Sequence, residues 1–428
     1  MEWSTDYGDK GSARNALRIA AITGVLAAPS AILLVPGLGS IYLALCVFPG
    51  LLIAVQQRRS LKALWEHSGA VRWLGVLLLA YLLVSVGNFA LIDSSDFAFN
   101  RLERQLMLLG IPAVFVLLWW AKPTLLTVHA GIALNAIIFG VYAIASYIQD
   151  GQRVDAVTNS VLFGNVGLML GFSALGLFFL RPTWPWRTLA LVGLALGIAA
   201  SLLSWTRGGW LAIPLLVAIG LVALHKVYRP SRRLWIGIVL VVTTSLILFL
   251  NTGIVQDRIA LVEREVERVT AGDFQTSLGF RILMWQIALE TGLEAPLLGQ
   301  GFSGYLRKVD GLLEKGDIPP TMAQLKTEPH SDFLYVFASR GLLGVIAFGA
   351  LLIVPLAYLL VSLTMGDARR VASAHVGLTL IIVLAVAGLS ITMIDQRAMI
   401  RFLAVMVAIT LYLSWASGST RCIGINGR

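Results

Sequence analysis

The sequence predicts an all-α polytopic membrane protein, and three observations lead to this fold class. Hydrophobic residues make up 57% of the 428 residues, charged residues make up only 13%, and the mean hydropathy is +0.82. A soluble core has no room for that apolar fraction. Apolar runs of about 18 or more residues, the length that a helix needs to cross a hydrocarbon layer roughly 30 Å thick, recur from one end of the chain to the other.

Twelve such runs are predicted to be transmembrane helices within a single integral membrane domain, residues 1–428. The predicted spans are 16–36, 38–55, 73–92, 104–121, 124–148, 161–180, 188–204, 209–224, 235–252, 338–364, 372–393 and 401–417. The first run is long and is followed at once by another span, so we expect a retained helix and not a cleaved signal peptide.

The basic residues predict the orientation of the chain, because short cytoplasmic loops accumulate Lys and Arg. With the N-terminus inside, the cytoplasmic segments hold 18 basic residues, whereas the short loops on the other side hold 6. We therefore expect both termini in the cytoplasm and a large extracytoplasmic loop over residues 253–337, which is periplasmic if the resemblance described below holds. A connection of that length is usually functional.

Several functional classes are excluded or unsupported. Cys46 falls inside a span and Cys422 in the tail, so neither can form a disulfide in the loop. The net charge of +10 resides mostly in the cytoplasmic loops, where basic residues meet anionic lipid heads and not nucleic acid. The sequence contains no Gly-rich phosphate loop and no zinc-type spacing of Cys or His, so we expect no cofactor and no metal site.

The loop 253–337 contains two predicted helices. Residues 256–271 form an amphipathic stretch, which could lie on the membrane face or pack over the mouth of the bundle. Its apolar positions are Ile259, Val262, Val266 and Val269. A second helical stretch, residues 280–290, ends at Gly292 and at the Pro- and Gly-containing turn 295–301.

Two arginines are candidate ligands of an anion. Arg207 ends an apolar span, where it could simply extend to water, but Gly208 and Gly209 follow it and allow a backbone to approach a ligand closely. Arg281 lies in the loop, where an ordinary ion pair is the alternative. A guanidinium forms paired, charge-assisted bonds to phosphate oxygens, so two arginines suggest a diphosphate.

His330 is the candidate general base. It follows Pro329 just before a span and titrates near neutrality, so it could accept a proton from a sugar hydroxyl at the mouth of the bundle. A structural role is the alternative for a lone histidine.

The turn before the last span contributes Asp395 and Arg397. Arg397 could add a third positive charge, with Asp395 orienting an arginine or His330. The alternative, which we favour from sequence, is a short solvated turn in which the two side chains pair with each other.

The order of these motifs resembles the O-antigen ligase and O-antigen polymerase superfamily of bacterial envelope enzymes. The matching segments are Phe163-Gly164-Asn165, Thr206-Arg207-Gly208-Gly209, Phe280-Arg281 with Trp285, Ala288 and Pro296 to Gly301, and His330-Ser331 with Phe333, Leu334 and Gly341 to Gly344. Ser331 departs from the family, in which Asn is common at that position.

The resemblance implies an O-antigen ligase of the inner membrane. Such an enzyme transfers a glycan from undecaprenyl diphosphate to the lipid A-core at the periplasmic face, in an inverting, metal-independent reaction. His330 would then act as the base, with Arg207 and Arg281 on the diphosphate. An O-antigen polymerase and a protein O-oligosaccharyltransferase remain alternatives with the same site, and a lipid-linked glycan transporter is a non-enzymatic one. The donor sugar, the acceptor hydroxyl and the oligomeric state are left open.

Overall fold

Long apolar helices running back and forth build the molecule in the computed structural model, which confirms the predicted fold class. The structure describes residues 6–418 except 234, 238–239, 241–243, 245–250, 252, 325–327 and 365–366. The helices are α1 Asp6–Leu34, α2 Leu38–Gln56, α3 Arg58–His67, α4 Gly69–Leu91, α5 Asp96–Leu106, α6 Gly110–Ala121, α7 Leu125–Asp150, α8 Ser160–Phe179, α9 Trp184–Leu203, α10 Arg207–Trp210, α11 Ile213–Tyr228, α12 Gly253–Thr270, α13 Ser277–Glu294, α14 Gly304–Lys315, α15 Asp332–Thr364, α16 Ala368–Ala387 and α17 Arg397–Gly418.

Eleven helical spans within the described residues are long and apolar enough to cross a membrane, and each corresponds to a predicted one. The remaining predicted span, 235–252, lies largely outside the described residues. The span Asp96–Ala121 consists of α5, a short 3-10 turn and α6. The helix predicted over 338–364 begins earlier, at Asp332, which places its first turn directly after His330.

Helix α8 lies at the centre of the bundle and packs against α7, α9 and α16. Of its span, 83% is buried inside the protein. Its small residues permit this close packing: a Cβ added to Gly171 would lie 3.0 Å from the Cα of Gly197 on α9. Small residues at such contacts bring helix backbones together, which is how membrane helices gain packing energy.

The loop predicted over 253–337 is largely helical, with α12, α13 and α14 followed by a short 3-10 helix, Pro320–Gln324. The amphipathic stretch forms α12. Its Val262 and Val266 are 40% and 44% exposed, whereas Val269 is half-buried. Both alternatives for this stretch, the membrane face and the mouth of the bundle, stay predictions.

A backbone contact joins the loop to α15. The turn 296–301 lies against a kink in α15, where Gly341 has a φ of 61° and a ψ of −157°. The amides of Gln300 and Gly301 donate to the carbonyls of Ala338 and Ser339 at 2.9 and 3.0 Å, and the amide of Leu342 donates to Pro296 at 2.8 Å. The kink exposes backbone groups that the helix would otherwise use, and the turn satisfies them.

Candidate functional site

The predicted site residues lie at one end of the bundle, which we call the site end. It is the end at which α4 and α16 finish and α5, α15 and α17 begin. The loop helices α13 and α14 pack there against α15. We call the opposite end, formed by residues 58–72, 181–187, 229–233 and 367–370, the basic end.

His330 occupies an unusual backbone conformation at the site end. Its φ is +50°, in the left-handed region, which residues other than glycine adopt uncommonly, although Asn, Asp and His do so more often than the rest. Ser331 on its C-terminal side is 3% exposed, while the His330 side chain is only partly buried. Strained conformations of this kind persist where the surrounding structure holds them, and they cluster at functional sites.

Arg281 of α13 lies close enough to His330 to act on it electrostatically. Partial burial, together with the positive charge of Arg281, lowers the pKa of His330 from its ordinary value. The imidazole is therefore neutral, and able to accept a proton, over a wider pH range than a free histidine. The structure thus brings together two of the three residues that the sequence singled out.

The segment after His330 is fixed to the turn between α16 and α17. The amide of Asp332 donates to the carbonyl of Gly388 at 2.8 Å, and the Asp332 carboxylate accepts the amide of Ile394 at 3.0 Å. Gly388 leaves room for this carboxylate, since a Cβ there would lie 2.7 Å from Asp332 Oδ2. The position of His330 is therefore set by a fully buried carboxylate two residues away.

Arg207 is the first residue of α10, and its side chain lies outside the described part of the structure. The turn before it is well anchored. Thr206 Oγ1 donates to the carbonyl of Ser160 on α8 at 2.8 Å, and Arg153 Nε donates to the carbonyl of Ser204 at 2.7 Å. The backbone of Arg207 is thus fixed to the first turn of the central helix α8.

Gly208 and Gly209 contact protein groups. A Cβ on Gly208 would lie 2.9 Å from Ser390 Oγ, and one on Gly209 would collide with Asn165 Oδ1. Gly209 therefore lets α10 pack on the Phe163–Asn165 motif of α8, while Gly208 packs on the turn that also holds Asp332. Through this turn, the motifs around Arg207 and His330 belong to one packed unit.

The preferred prediction for Asp395 and Arg397, a solvated pair, is wrong. Asp395 is fully buried and forms ion pairs with Arg101 and Arg104 of α5, at 3.2 Å to Arg104. Arg397 is about half exposed and pairs with Glu103 at 3.1 Å. The prediction fails because Asp395 is buried. A carboxylate removed from water is stabilised by nearby cations, and α5 supplies two of them.

Glu328 extends this cluster towards His330. Gln396 Nε2 donates to both of its carboxylate oxygens at 3.1 Å. Burial raises the pKa of Glu328, and the positive charges of Arg101 and Arg104 together with the Gln396 hydrogen bond oppose that effect. A buried carboxylate therefore lies two residues before His330, as Asp332 lies two residues after it.

Asp93 links the α4–α5 connection to the loop helices. Its carboxylate accepts the amide of Ser303 at 2.7 Å and the Ser303 hydroxyl at 2.5 Å, and Arg307 lies 3.5 Å away. Burial alone would raise the pKa of Asp93, but the hydrogen bonds from Ser303 and Ser95 outweigh it and lower the pKa. The site end is thus closed by contacts between segments that are far apart in sequence.

Residues 192–349 match the sequence family described as O-antigen ligase. The matched segment includes Arg207, Arg281 and His330 and ends just after the kink in α15. The match covers well under half of the chain, and over these residues the protein is similar to the O-antigen ligase family. This similarity supports the resemblance to the O-antigen ligase and polymerase superfamily and points to a glycosyltransferase-like enzyme.

A curated protein of Haemophilus influenzae, named only as an uncharacterized protein, is 27% identical over 244 residues. The alignment covers 55% of this chain and 60% of that relative. The chain therefore spans about 60% of the length of this relative.

Sequence reasoning missed several charged residues of the site end. Arg101 and Arg104 were counted only as loop charges, and Glu328 and Asp332 were not singled out. Their spacing held a signal: Arg101 and Arg104 are three residues apart and face the same side of α5. Their common partner, Asp395, is nearly 300 residues away in the chain, and only the fold reveals the pairing.

Proposed function

We propose that this protein is an O-antigen ligase, which transfers a glycan from undecaprenyl diphosphate to the lipid A-core at the periplasmic face of the bacterial inner membrane. The observation that carries the proposal is the closeness of Arg281 to His330 at one end of the bundle, inside the segment that matches the O-antigen ligase family. A neutral imidazole beside a guanidinium provides a base and an anion-binding group at a single place.

In the proposed reaction, His330 accepts the proton of an acceptor hydroxyl. The oxygen of that hydroxyl attacks the anomeric carbon of the donor sugar as the bond from that carbon to the diphosphate oxygen breaks. The configuration at the carbon is inverted, undecaprenyl diphosphate leaves, and the imidazolium returns its proton to solvent. Both substrates are lipid-anchored, so a site at a membrane surface can receive both from the bilayer.

Arg207 and Arg281 are assigned to the negative charge that grows on the departing diphosphate. Preorganised donors directed at developing charge are usually the largest contribution to catalysis. Two guanidiniums would supply this charge without a metal ion, so we expect transfer to persist in the presence of EDTA. Lysine at either position keeps the charge but loses the paired hydrogen bonds, and each Lys variant should be impaired.

The test is an acceptor-resolved transfer assay. Membranes carrying the protein receive a labelled lipid-linked glycan with lipid A-core, a second lipid-linked glycan, or a protein acceptor. The proposal predicts label on lipid A-core. Label on a second lipid-linked glycan would indicate a polymerase, label on protein an oligosaccharyltransferase, and movement of the glycan without a covalent product a transporter.

Variants of His330 make the assay specific. His330→Ala and His330→Gln should abolish transfer but leave donor binding nearly intact, because the imidazole is assigned to proton transfer only. His330→Asn is the sharpest variant, since asparagine tolerates the left-handed backbone and cannot act as a base. The matched control is His225→Ala, an exposed histidine at the basic end, which should transfer as the wild type does.

A further inference from the structure

A cavity of about 720 Å³ opens between α4, α15, α16 and α17, away from the site end. Its walls are mostly apolar. The lining residues include Trp73, Leu77, Val354, Leu380, Leu411 and Trp415. The volume falls within the range of sites that hold a small molecule or a lipid chain.

The polar rim of this cavity lies at the basic end of the bundle. His67, Ser68 and Gly69, which join α3 to α4, line it there together with Leu64 of α3. The cavity therefore extends from the basic end along the apolar helices. Trp65 and Trp73 are 42% and 58% exposed beside this rim, as tryptophans are at a membrane–water boundary.

Helix α3 places positive charge at the rim. Its Leu61 and Leu64 pack towards the bundle, whereas Arg58, Arg59 and Lys62 are exposed. Lys62 lies two residues from the lining residue Leu64, and the exposed Arg72 directly precedes the lining residue Trp73. Glu66, the single acidic residue of α3, lies 3.9 Å from Lys62, and the net charge of α3 together with Arg72 remains positive.

We propose that this cavity binds an anionic phospholipid of the bilayer leaflet at the basic end. One acyl chain lies among the tryptophan and aliphatic side chains, and the phosphate faces the cations of α3 and Arg72. The charge selects an anionic over a zwitterionic headgroup, because clusters of basic residues beside a membrane attract anionic lipid. The binding site is separate from His330 and does not rest on the proposed enzymatic function.

The test uses the purified full-length protein in nanodiscs that contain equal parts of phosphatidylglycerol and phosphatidylcholine. Mild release and native mass spectrometry then count the lipids that stay bound. The wild type should retain phosphatidylglycerol in preference to phosphatidylcholine. Equal retention of the two lipids, or retention of neither, would overturn the proposal.

Paired variants separate the cavity from the general surface. Val354→Trp fills the cavity and should lower phosphatidylglycerol retention, whereas Ile353→Trp changes its exposed neighbour, which does not line the cavity, and should not. If Val354→Trp fails to fold, as judged by size-exclusion chromatography, Ser414→Phe fills the same cavity from α17. Unchanged retention in a folded filled variant contradicts acyl-chain binding.

Charge variants test the headgroup. The triple change Arg58→Gln, Arg59→Gln, Lys62→Gln should lower phosphatidylglycerol retention by at least about tenfold and leave phosphatidylcholine unchanged. The triple change Arg229→Gln, Arg232→Gln, Arg233→Gln removes the same charge elsewhere at the basic end and should have little effect. Equal losses in both triples would mean a diffuse surface attraction and no site.

The chain itself is the competing occupant, because residues 419–428, outside the described residues, follow the lining residue Gly418. Deletion of these residues should leave lipid retention unchanged. If the protein binds phosphatidylglycerol only after the deletion, the cavity belongs to the tail and the proposal fails.

Discussion

His330 combines a left-handed backbone conformation with a partly buried imidazole ring. Its left-handed φ of +50° costs free energy, of order 1–3 kcal/mol for residues of this kind. The contacts of the neighbouring Asp332, which binds the turn 388–394, hold that conformation in place. Strain at this position is what we expect if His330 is the proposed base and its side chain has to be directed at a substrate.

The pH dependence of transfer should report the interaction between His330 and Arg281. Burial and Arg281 lower the pKa of His330, so the base stays neutral to lower pH than a free histidine. The midpoint of the acidic limb in a plot of kcat/KM against pH should therefore lie below pH 6.5. Arg281→Gln removes the charge, so the limb should move to higher pH. Rates measured from about pH 4.5 to 8.5 would show both effects.

Arg281→Lys is the control for this profile. It keeps the positive charge, so the acidic limb should stay near its wild-type position while the rate falls through loss of the planar hydrogen-bonding fork. If Arg281→Gln lowers the rate without moving the limb, Arg281 does not act on His330 in the working enzyme, and its role is elsewhere.

Some of the site was predictable at this scale, and some was not. His330 and Arg281 stand out because ionisable residues beside apolar spans are rare, so each one needs a reason. The state of Asp395 could not be predicted, because burial is set by α5, which meets the turn only in the folded chain. Asp395 and Arg397 are neighbours in sequence, which suggests a local ion pair, but in the folded protein the carboxylate of Asp395 pairs with Arg101 and Arg104.

Among the contacts between structural elements, the one between the turn 296–301 and the kink in α15 joins the loop to the bundle. Gly341 adopts a conformation that side chains rarely permit, and a Cβ there would lie 2.5 Å from the carbonyl carbon of Leu297. Gly299, opposite it, has a φ of +72° and is equally crowded, by the backbone of residues 339–341. The two glycines let two backbones meet and exchange hydrogen bonds.

Gly341→Ala should therefore destabilise the junction between loop and bundle. The backbone conformation alone costs roughly 1–3 kcal/mol, and the clash with Leu297 adds to it. We expect a lower thermal unfolding temperature in detergent and a strong loss of transfer, since α13 carries Arg281.

Gly349→Ala is the matched control on the same helix. A Cβ at Gly349 meets nothing within 4 Å, and alanine favours a helix more than glycine does. This variant should unfold at or slightly above the wild-type temperature. Equal behaviour of the two variants would mean that the kink contributes nothing to the junction.

Hydropathy predicted the helices well and their ends less well. The predicted span starts too late, at residue 338, because Asp332 in the first turn of α15 lowers the average hydropathy there although it is buried. Arg340 is held within the protein, because its Nη1 donates to the hydroxyls of Tyr81 and Ser85 at 2.8 and 3.1 Å. Polar residues buried by partners on other helices are invisible to an average along the chain.

At the scale of the whole molecule, buried charges connect the first third of the chain to its last helices. Asp395, between α16 and α17, pairs with Arg101 and Arg104 of α5. Breaking a buried pair by removing one charge leaves the other uncompensated, at a cost of roughly 3–5 kcal/mol.

Asp395→Asn should accordingly lower the folded yield and the unfolding temperature of the protein. Arg397→Ala removes a half-exposed pair with Glu103 and should change stability by about 0–1 kcal/mol.

Transfer rates per folded molecule of these two variants complete the test. Loss of less than about threefold in both variants places this turn outside the reacting centre, and a loss near a hundredfold places it within.

The route by which the site end is assembled has a consequence for biogenesis. Asp332 is anchored by Gly388 and Ile394, and Arg101 and Arg104 of α5 pair with Asp395, so each depends on residues that leave the ribosome later than it does. Until the hairpin of α16 and α17 inserts, Arg101 and Arg104 lack this carboxylate and the segment carrying His330 lacks its support. A nascent chain that stops short of this hairpin therefore holds the sequence motifs without the contacts that position them, and the site end is completed only when α16 and α17 insert.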